Sequence, residues 1–259
     1  FKDAGTAADG MKVVFGESVE KIPSNIFSNC ESLTSVTIPD SVTSIGDYAF
    51  NGCTGLKEVI YNAKAAADLT EYSCVFEGAG TAADGMKVVF GESVEKIPAY
   101  LFYNCTGLTS VTIGSSVTSI GNSAFEYCTG LTSVTIPDSM TSIRYEAFYG
   151  CEGLTSLTIG SNVTSIGSKA FECSNLTEVN YNAKAITDSG CGGDVFLCAG
   201  TSSSGIRAVI GDGVKKIPAG LFYETNIRSF VFTGNPPTVG TEGLGYAKAY
   251  AFYPGHNSE

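Results

Sequence analysis

A 23-residue unit recurs through most of this chain, and that period decides what the chain can fold into. Leu33 to Gly55 reads LTSVTIPDSVTSIGDYAFNGCTG. Leu108 to Gly130 reads LTSVTIGSSVTSIGNSAFEYCTG, and Leu131 to Gly153 reads LTSVTIPDSMTSIRYEAFYGCEG. Units start at Gly10, Leu33, Leu56, Gly85, Leu108, Leu131, Leu154, Leu176, Gly205 and Ile227. Two spacings, Leu56 to Gly85 and Leu176 to Gly205, stretch to 29 residues. Both carry YNAKA (Tyr61 to Ala65, Tyr181 to Ala185), and both are read as holding a long insert, at 62–84 and 182–204. A larger period is nested in the small one, because residues 4–23 recur almost verbatim as Ala79 to Pro98.

One such unit cannot bury its own apolar face. In Leu33 to Ile38, Leu33, Val36 and Ile38 are apolar while Ser35 and Thr37 are small and polar. Alternation of period two is the mark of a half-buried strand, and β-branched residues favour it. Stacked neighbours bury the face jointly, so each strand is expected to pair in parallel with the next. Pro39-Asp40-Ser41 is a turn signal, after which Val42 and Ile45 return to the core. Ala49-Phe50 reads as a short helical or 3₁₀ turn. Phe27, Phe50, Phe102, Phe125, Phe148, Phe171 and Phe222 are expected to stack as a ladder.

The pattern L-x-x-V-x-I-P/G-x-x-V-x-x-I-x-x-x-A-F-x-x-C resembles the BspA-type, or treponemal-type, leucine-rich repeat. That resemblance implies a leucine-rich-repeat solenoid. Its chain would wind as a right-handed superhelix with a parallel β-sheet on one face, short strands and 3₁₀ or helical turns elsewhere, and little α-helix. The array is placed at residues 1–232, about ten units, and residues 233–259 are expected to form a C-terminal cap or a truncated tail. Proteins of this type are similar to bacterial surface or secreted proteins that bind host proteins, glycans or other cells, and no catalysis is associated with the repeat.

Charge narrows the partners. Asp and Glu outnumber Lys and Arg by 26 to 15, giving a net charge of −11. Such a surface repels phosphates, which argues against nucleic acid and anionic membranes. No apolar run approaches the length of a membrane span, so no direct membrane insertion is expected. No signal peptide is visible at Phe1-Lys2-Asp3, which is not evidence for a cytosolic home. Oligomeric state stays open.

Nine cysteines invite a disulfide reading, but their spacing argues against one for most of them. Cys30, Cys53, Cys105, Cys128 and Cys151 recur at one repeat position, and Cys173 nearly so. Stacked side chains point the same way, into the core, and are expected to form a ladder of buried free thiols. Cys191 and Cys198, seven residues apart in the second insert, are the candidates for a bridge. The spacing suits no metal site, and no cofactor is expected.

Catalytic constellations are hard to find. The one histidine, His256, lies in the tail, and no acid pair stands out among identical repeats. The chain is therefore read as a non-catalytic binding or adhesion protein, secreted or at a cell surface, with a protein or glycan ligand on a host or neighbouring cell. The candidate residues lie where the Ser/Thr monotony of the strand face breaks or runs on: Lys12, Val14, Glu58, Ile60, Lys87, Val89, Thr112, Thr135, Thr158, Glu178, Asn180 and Arg207. The two inserts are expected to project from one side as a second candidate surface. The alternative is a carbohydrate-binding accessory module of a larger secreted enzyme or scaffold. It would use Tyr48, Tyr100, Tyr103, Tyr127, Tyr145 and Tyr149 on the far side.

Overall fold

The computed structural model describes residues 10–82, 84–240, Gly243 and Tyr250–Phe252. The chain is a parallel β-solenoid. Each coil contributes one strand to a main sheet and, in most coils, a two-residue strand to one of three smaller sheets, the four-stranded one being termed the second sheet. The main sheet runs Met11–Val14, Leu33–Ile38, Glu58–Tyr61, Met86–Phe90 and Leu108–Thr112. It resumes as Ser133–Thr135, Ser156–Ile159, Glu178–Tyr181, Ile206–Ile210, Ile227–Phe232 and Tyr250–Phe252. All pairings are parallel, Val36 beside Val59 and Val59 beside Val88, with register shifts after Met11, Met86 and Ile206. The two runs are not hydrogen-bonded to each other. At that seam Val111 and Ile113 are half-buried, whereas their counterparts Val36 and Ile38 are fully buried.

The V-x-S-I stretch gives the second sheet. Ser119–Ile120, Ser142–Ile143 and Ser165–Ile166 pair in parallel, joined by Lys96–Ile97. Its serine faces outward while its isoleucine is buried, the period of two again.

The ladder of phenylalanines is continuous and longer than the repeat motif suggests. Phe27, Phe50, Phe76, Phe102, Phe125, Phe148, Phe171, Phe196 and Phe222 stack ring on ring, with centroids 4.8–5.8 Å apart. Phe76 and Phe196 sit inside the two supposed inserts. These segments therefore do not project as whole loops. Each 29-residue coil keeps its ladder rung and its register, lengthening a little on either side of the rung. Val75, Phe76 and Ala79, like Val195, Phe196 and Ala199, are fully buried. Burying a phenylalanine is worth roughly 2–3 kcal/mol, so the core holds the extra residues in place.

No helix forms at Ala49-Phe50 or its equivalents. The reason is local. Among the described residues, every non-glycine residue with positive φ lies two positions before or after a ladder phenylalanine, including Tyr48, Tyr100, Asn104, Tyr127, Lys169 and Cys198. One or two left-handed residues per turn reverse the chain and exclude helical hydrogen bonding. Among the described residues the one helical element is a single 3₁₀ turn, Asp188–Gly190. No helix there is long and apolar enough to cross a membrane.

Strands continue past residue 232, where Thr238–Val239 pairs with Lys216–Ile217 and Tyr250–Phe252 lies beside Ile227–Phe232. His256 lies outside the described residues.

Candidate binding surfaces

The strand face is assembled by register. One row reads Lys12, Ser35, Glu58, Lys87, Ser110; the next reads Val14, Thr37, Ile60, Val89, Thr112. Alternate strand residues point to opposite faces, so both rows face out while Val13, Val36, Val59, Val88 and Val111 point in. Val14 is 74% exposed and Val89 37%, and Ile60 is half-buried between them. Lys12, Glu58 and Lys87 are exposed beside that apolar row. The patch therefore offers a few branched apolar groups flanked by charges of both signs.

Beyond the seam the character changes. Thr135, Thr158, Asn180 and Val209 form the continuing row. Glu178 and Arg207, register partners, are joined by an ion pair of 3.3 Å. Asn180 Nδ2 donates to Glu178 Oε1 at 3.1 Å. The charges here satisfy one another. The twelve candidate residues are thus split between two half-sheets rather than lying in one unbroken row.

All six ladder cysteines are buried, and Cys53, Cys128, Cys151 and Cys173 each donate to a backbone carbonyl. Burial pushes the Cys53 and Cys105 thiols up to about 12. The bridge considered for Cys191 and Cys198 is not formed. Cys191 is turned into the core beside Ile166, while Cys198 occupies a left-handed turn position and is exposed.

A second surface is the flank where the chain turns around the ladder. Left-handed backbone holds Tyr48, Tyr100 and Tyr127 there, and Tyr103, Tyr145 and Tyr149 join them. Tyr100 and Tyr103, Tyr103 and Tyr127, and Tyr127 and Tyr149 meet edge to face, with centroids 5.9, 6.2 and 5.5 Å apart. The Lys169 ammonium lies over the Tyr149 ring, 5.9 Å from its centroid. Carboxylates crowd the same flank. Burial, followed by nearby Glu146 and Glu71, raises the Glu126 carboxyl above its ordinary value, and a Ser123 hydrogen bond opposes the shift. Burial likewise raises Glu172, with Lys169 working against the shift. Sequence reasoning placed the tyrosines on this side but missed the acidic groups among them. The signal was there, since Glu126, Glu146 and Glu172 fall within four residues of successive ladder phenylalanines.

Of the two long coils, the exposed portion is short. Asp68 and Asp188 each tie it to the following coil: Asp68 accepts from the Ala99 amide at 2.8 Å and from Lys96 at 2.6 Å, and Asp188 does the same with Ala219 and Lys216. Among the described residues no group of three metal-ligating side chains comes together.

The sequence pattern described as the BspA type leucine rich repeat region matches residues 10–75 and 86–191, in six copies. Among solved structures, a leucine-rich repeat protein from Bacteroides ovatus is 22% identical. The match covers 87% of this chain and 67% of that one, with a TM-score of 0.52. A leucine-rich repeat protein of T. pallidum is 20% identical over 90% of this chain and 78% of that one, with a TM-score of 0.46. No curated protein matches the chain.

Proposed function

This chain belongs to the BspA type leucine-rich repeat family, and from that premise we propose that it is a non-catalytic protein-binding scaffold, secreted or displayed at a bacterial cell surface, that mediates adhesion. One observation carries the reading. The register of four successive pairings lines up Val14, Ile60 and Val89 with Lys12, Glu58 and Lys87 on a sheet whose reverse side is anchored in the core. An exposed apolar row rimmed by charges on a rigid support has the make-up of a modest protein interface.

The carbohydrate reading is less well supported. Sugar platforms rely on flat aromatic faces. The flank tyrosines instead cross at 64°, 68° and 77°, so neighbouring rings present edges to one another.

The test is binding of the purified chain to immobilised extracellular matrix proteins and to a polysaccharide panel. Capture by a matrix protein, reduced at least tenfold in a Val14→Ser, Lys87→Glu, Val89→Ser variant that keeps its melting temperature, supports the reading. Binding to polysaccharide alone, or to neither, overturns it, as does capture that the triple variant leaves untouched.

A further inference from the structure

On the tyrosine flank, across four successive coils, lies a pocket of about 120 Å³. Tyr127, Tyr149, Glu152, Glu172, Ser174 and Cys198 line it. Its walls are two aromatic rings and its polar groups are two carboxylates. The Glu152 carboxylate accepts a hydrogen bond from the Ser174 hydroxyl. Glu172 has no such help: its Oε2 is shielded from water and lacks any hydrogen-bond partner. A buried carboxylate oxygen without a donor is costly, and a cationic donor is the partner that would relieve it most.

The ring beside it already accepts a cation. Lys169 Nζ sits over the Tyr149 ring, the geometry in which the face of an aromatic quadrupole attracts an ammonium. Tyr149 also meets Tyr127 edge to face, which fixes the orientation of both rings. Charge around the pocket is one-sided. Beyond burial, Asp194, Glu146 and Glu152 push the Glu172 carboxyl upward, and Lys169 opposes them. The chain as a whole carries a net charge of −11. Field lines from such a cleft favour an incoming positive group.

We propose that the pocket between Tyr127, Tyr149 and Glu172 receives a lysine or arginine side chain of the protein partner. The aromatic rings would flank its methylenes, and its charged end would pair with the carboxylates of Glu152 and Glu172 in the pocket wall. The volume holds one side-chain end and no sugar chain. A bound metal fits poorly, because among the described residues no three ligating groups converge. This inference rests on the protein-binding reading above and deepens it. It adds a specificity element on a flank that the sheet-face patch does not include.

The probe is a blocked tri-lysine peptide, titrated into the full chain by calorimetry and by NMR at low ionic strength. We expect saturable binding that shifts the Tyr127 and Tyr149 ring signals. Affinity should fall at least tenfold for the same peptide with its lysines acetylated, and at least tenfold in Glu172→Gln combined with Tyr149→Leu. Glu172→Gln alone, which preserves shape, should weaken binding in the same direction. Glu17→Gln with Glu20→Gln, remote from the pocket, should leave it unchanged. Equal binding of the acetylated peptide, equal binding by the pocket variants, or no ring shifts at saturation would each overturn the proposal. The two readings fail separately. Matrix capture that vanishes in the sheet variant but survives in the pocket variant supports the sheet face and removes the pocket from it. Tri-lysine binding at the pocket without any matrix capture does the reverse.

Discussion

The thiol of Cys53 donates to the carbonyl oxygen of Phe27, one coil earlier, at 3.1 Å. The same bond recurs from Cys128 to Phe102, from Cys151 to Phe125 and from Cys173 to Phe148. In the coil of Phe222 the cysteine position holds Thr225, and its hydroxyl donates to the Phe196 carbonyl at 2.9 Å. The repeat therefore asks for a small donor at this place, and cysteine is one solution. Two substitutions test this. Cys128→Ala removes the donor and leaves a void, and should cost about 1–2 kcal/mol. Cys128→Thr copies Thr225 and should stay within about 0.5 kcal/mol of the parent. Denaturant unfolding of the two variants checks this. Equal losses would mean that a hydroxyl donor cannot stand in for the thiol at this position.

Exposure and burial sort the nine thiols by reactivity. Burial pushes Cys53, Cys105 and Cys191 up to about 12 and Cys74 to about 11, and raises Cys128 well above the ordinary thiol value; a hydrogen bond with Cys151, then burial, does the same for Cys173. Since the thiolate is the nucleophile, these groups are inert near pH 8. Cys198 is exposed at its turn. Native alkylation at pH 8 should label Cys198 first and the rest only on unfolding. Rapid labelling of two or more sites by peptide mapping would contradict the buried ladder.

Much of this was legible in the sequence, because a repeat states its register many times over. Val36, Leu33 and Ile38 recur at fixed spacing, and the strands, the phenylalanine stack and the inward thiols follow from that spacing. Phe76 and Phe196 were not legible as rungs. Their motifs, CVFEGA and DVFLCA, lack the A-F-x-x-C signature, so the 29-residue spacing looked like an inserted loop. The turn conformation was hidden for a different reason. Tyrosine and lysine have no preference for left-handed backbone, and only the packing of neighbouring coils imposes it at Tyr48, Tyr100, Tyr127 and Lys169. The seam after Leu108–Thr112 has no counterpart in the sequence, for Leu131–Ile136 repeats LTSVTI without change.

Two tyrosines sit where the core offers no partner. Tyr61 and Tyr181 are both fully buried, and neither hydroxyl finds a hydrogen bond. Tyr61 packs edge to face on Phe90, 5.4 Å between centroids, so its ring is already used as a phenylalanine would be. An unsatisfied buried hydroxyl is a liability of about 1–3 kcal/mol. Tyr61→Phe should therefore raise stability by about 1 kcal/mol, and Tyr181→Phe should act in the same direction. A lower denaturation midpoint for Tyr61→Phe would show that the hydroxyl is bonded after all, and a buried water would be the first place to look.

The junction after each long coil should respond to acid in a defined direction. Burial alone would raise the Asp68 carboxyl. The Ala99 amide and the Lys96 ammonium outweigh it and hold the group below its usual value of 3.8. For Asp188 the Lys216 hydrogen bond leads, followed by the Ala219 amide, and the shift is again downward. A carboxyl held low in the folded state adds stability in full above its unfolded pKa, and that stability is lost as pH falls through the lower folded value. The amides of Ala99 and Ala219 should thus keep their exchange protection from pH 7 to about 4 and lose it progressively as pH falls further, through the lowered carboxyl values. Both Asp–Lys pairs are substantially exposed, at 43–49% and 40–50% of their side chains, so the change is local and global unfolding should not accompany it. Asp68→Asn keeps an acceptor for Ala99 but drops the pair with Lys96. It should lower protection at pH 7 by a few-fold and abolish most of the acid dependence. Acid dependence that persists in Asp68→Asn would assign it to another carboxyl.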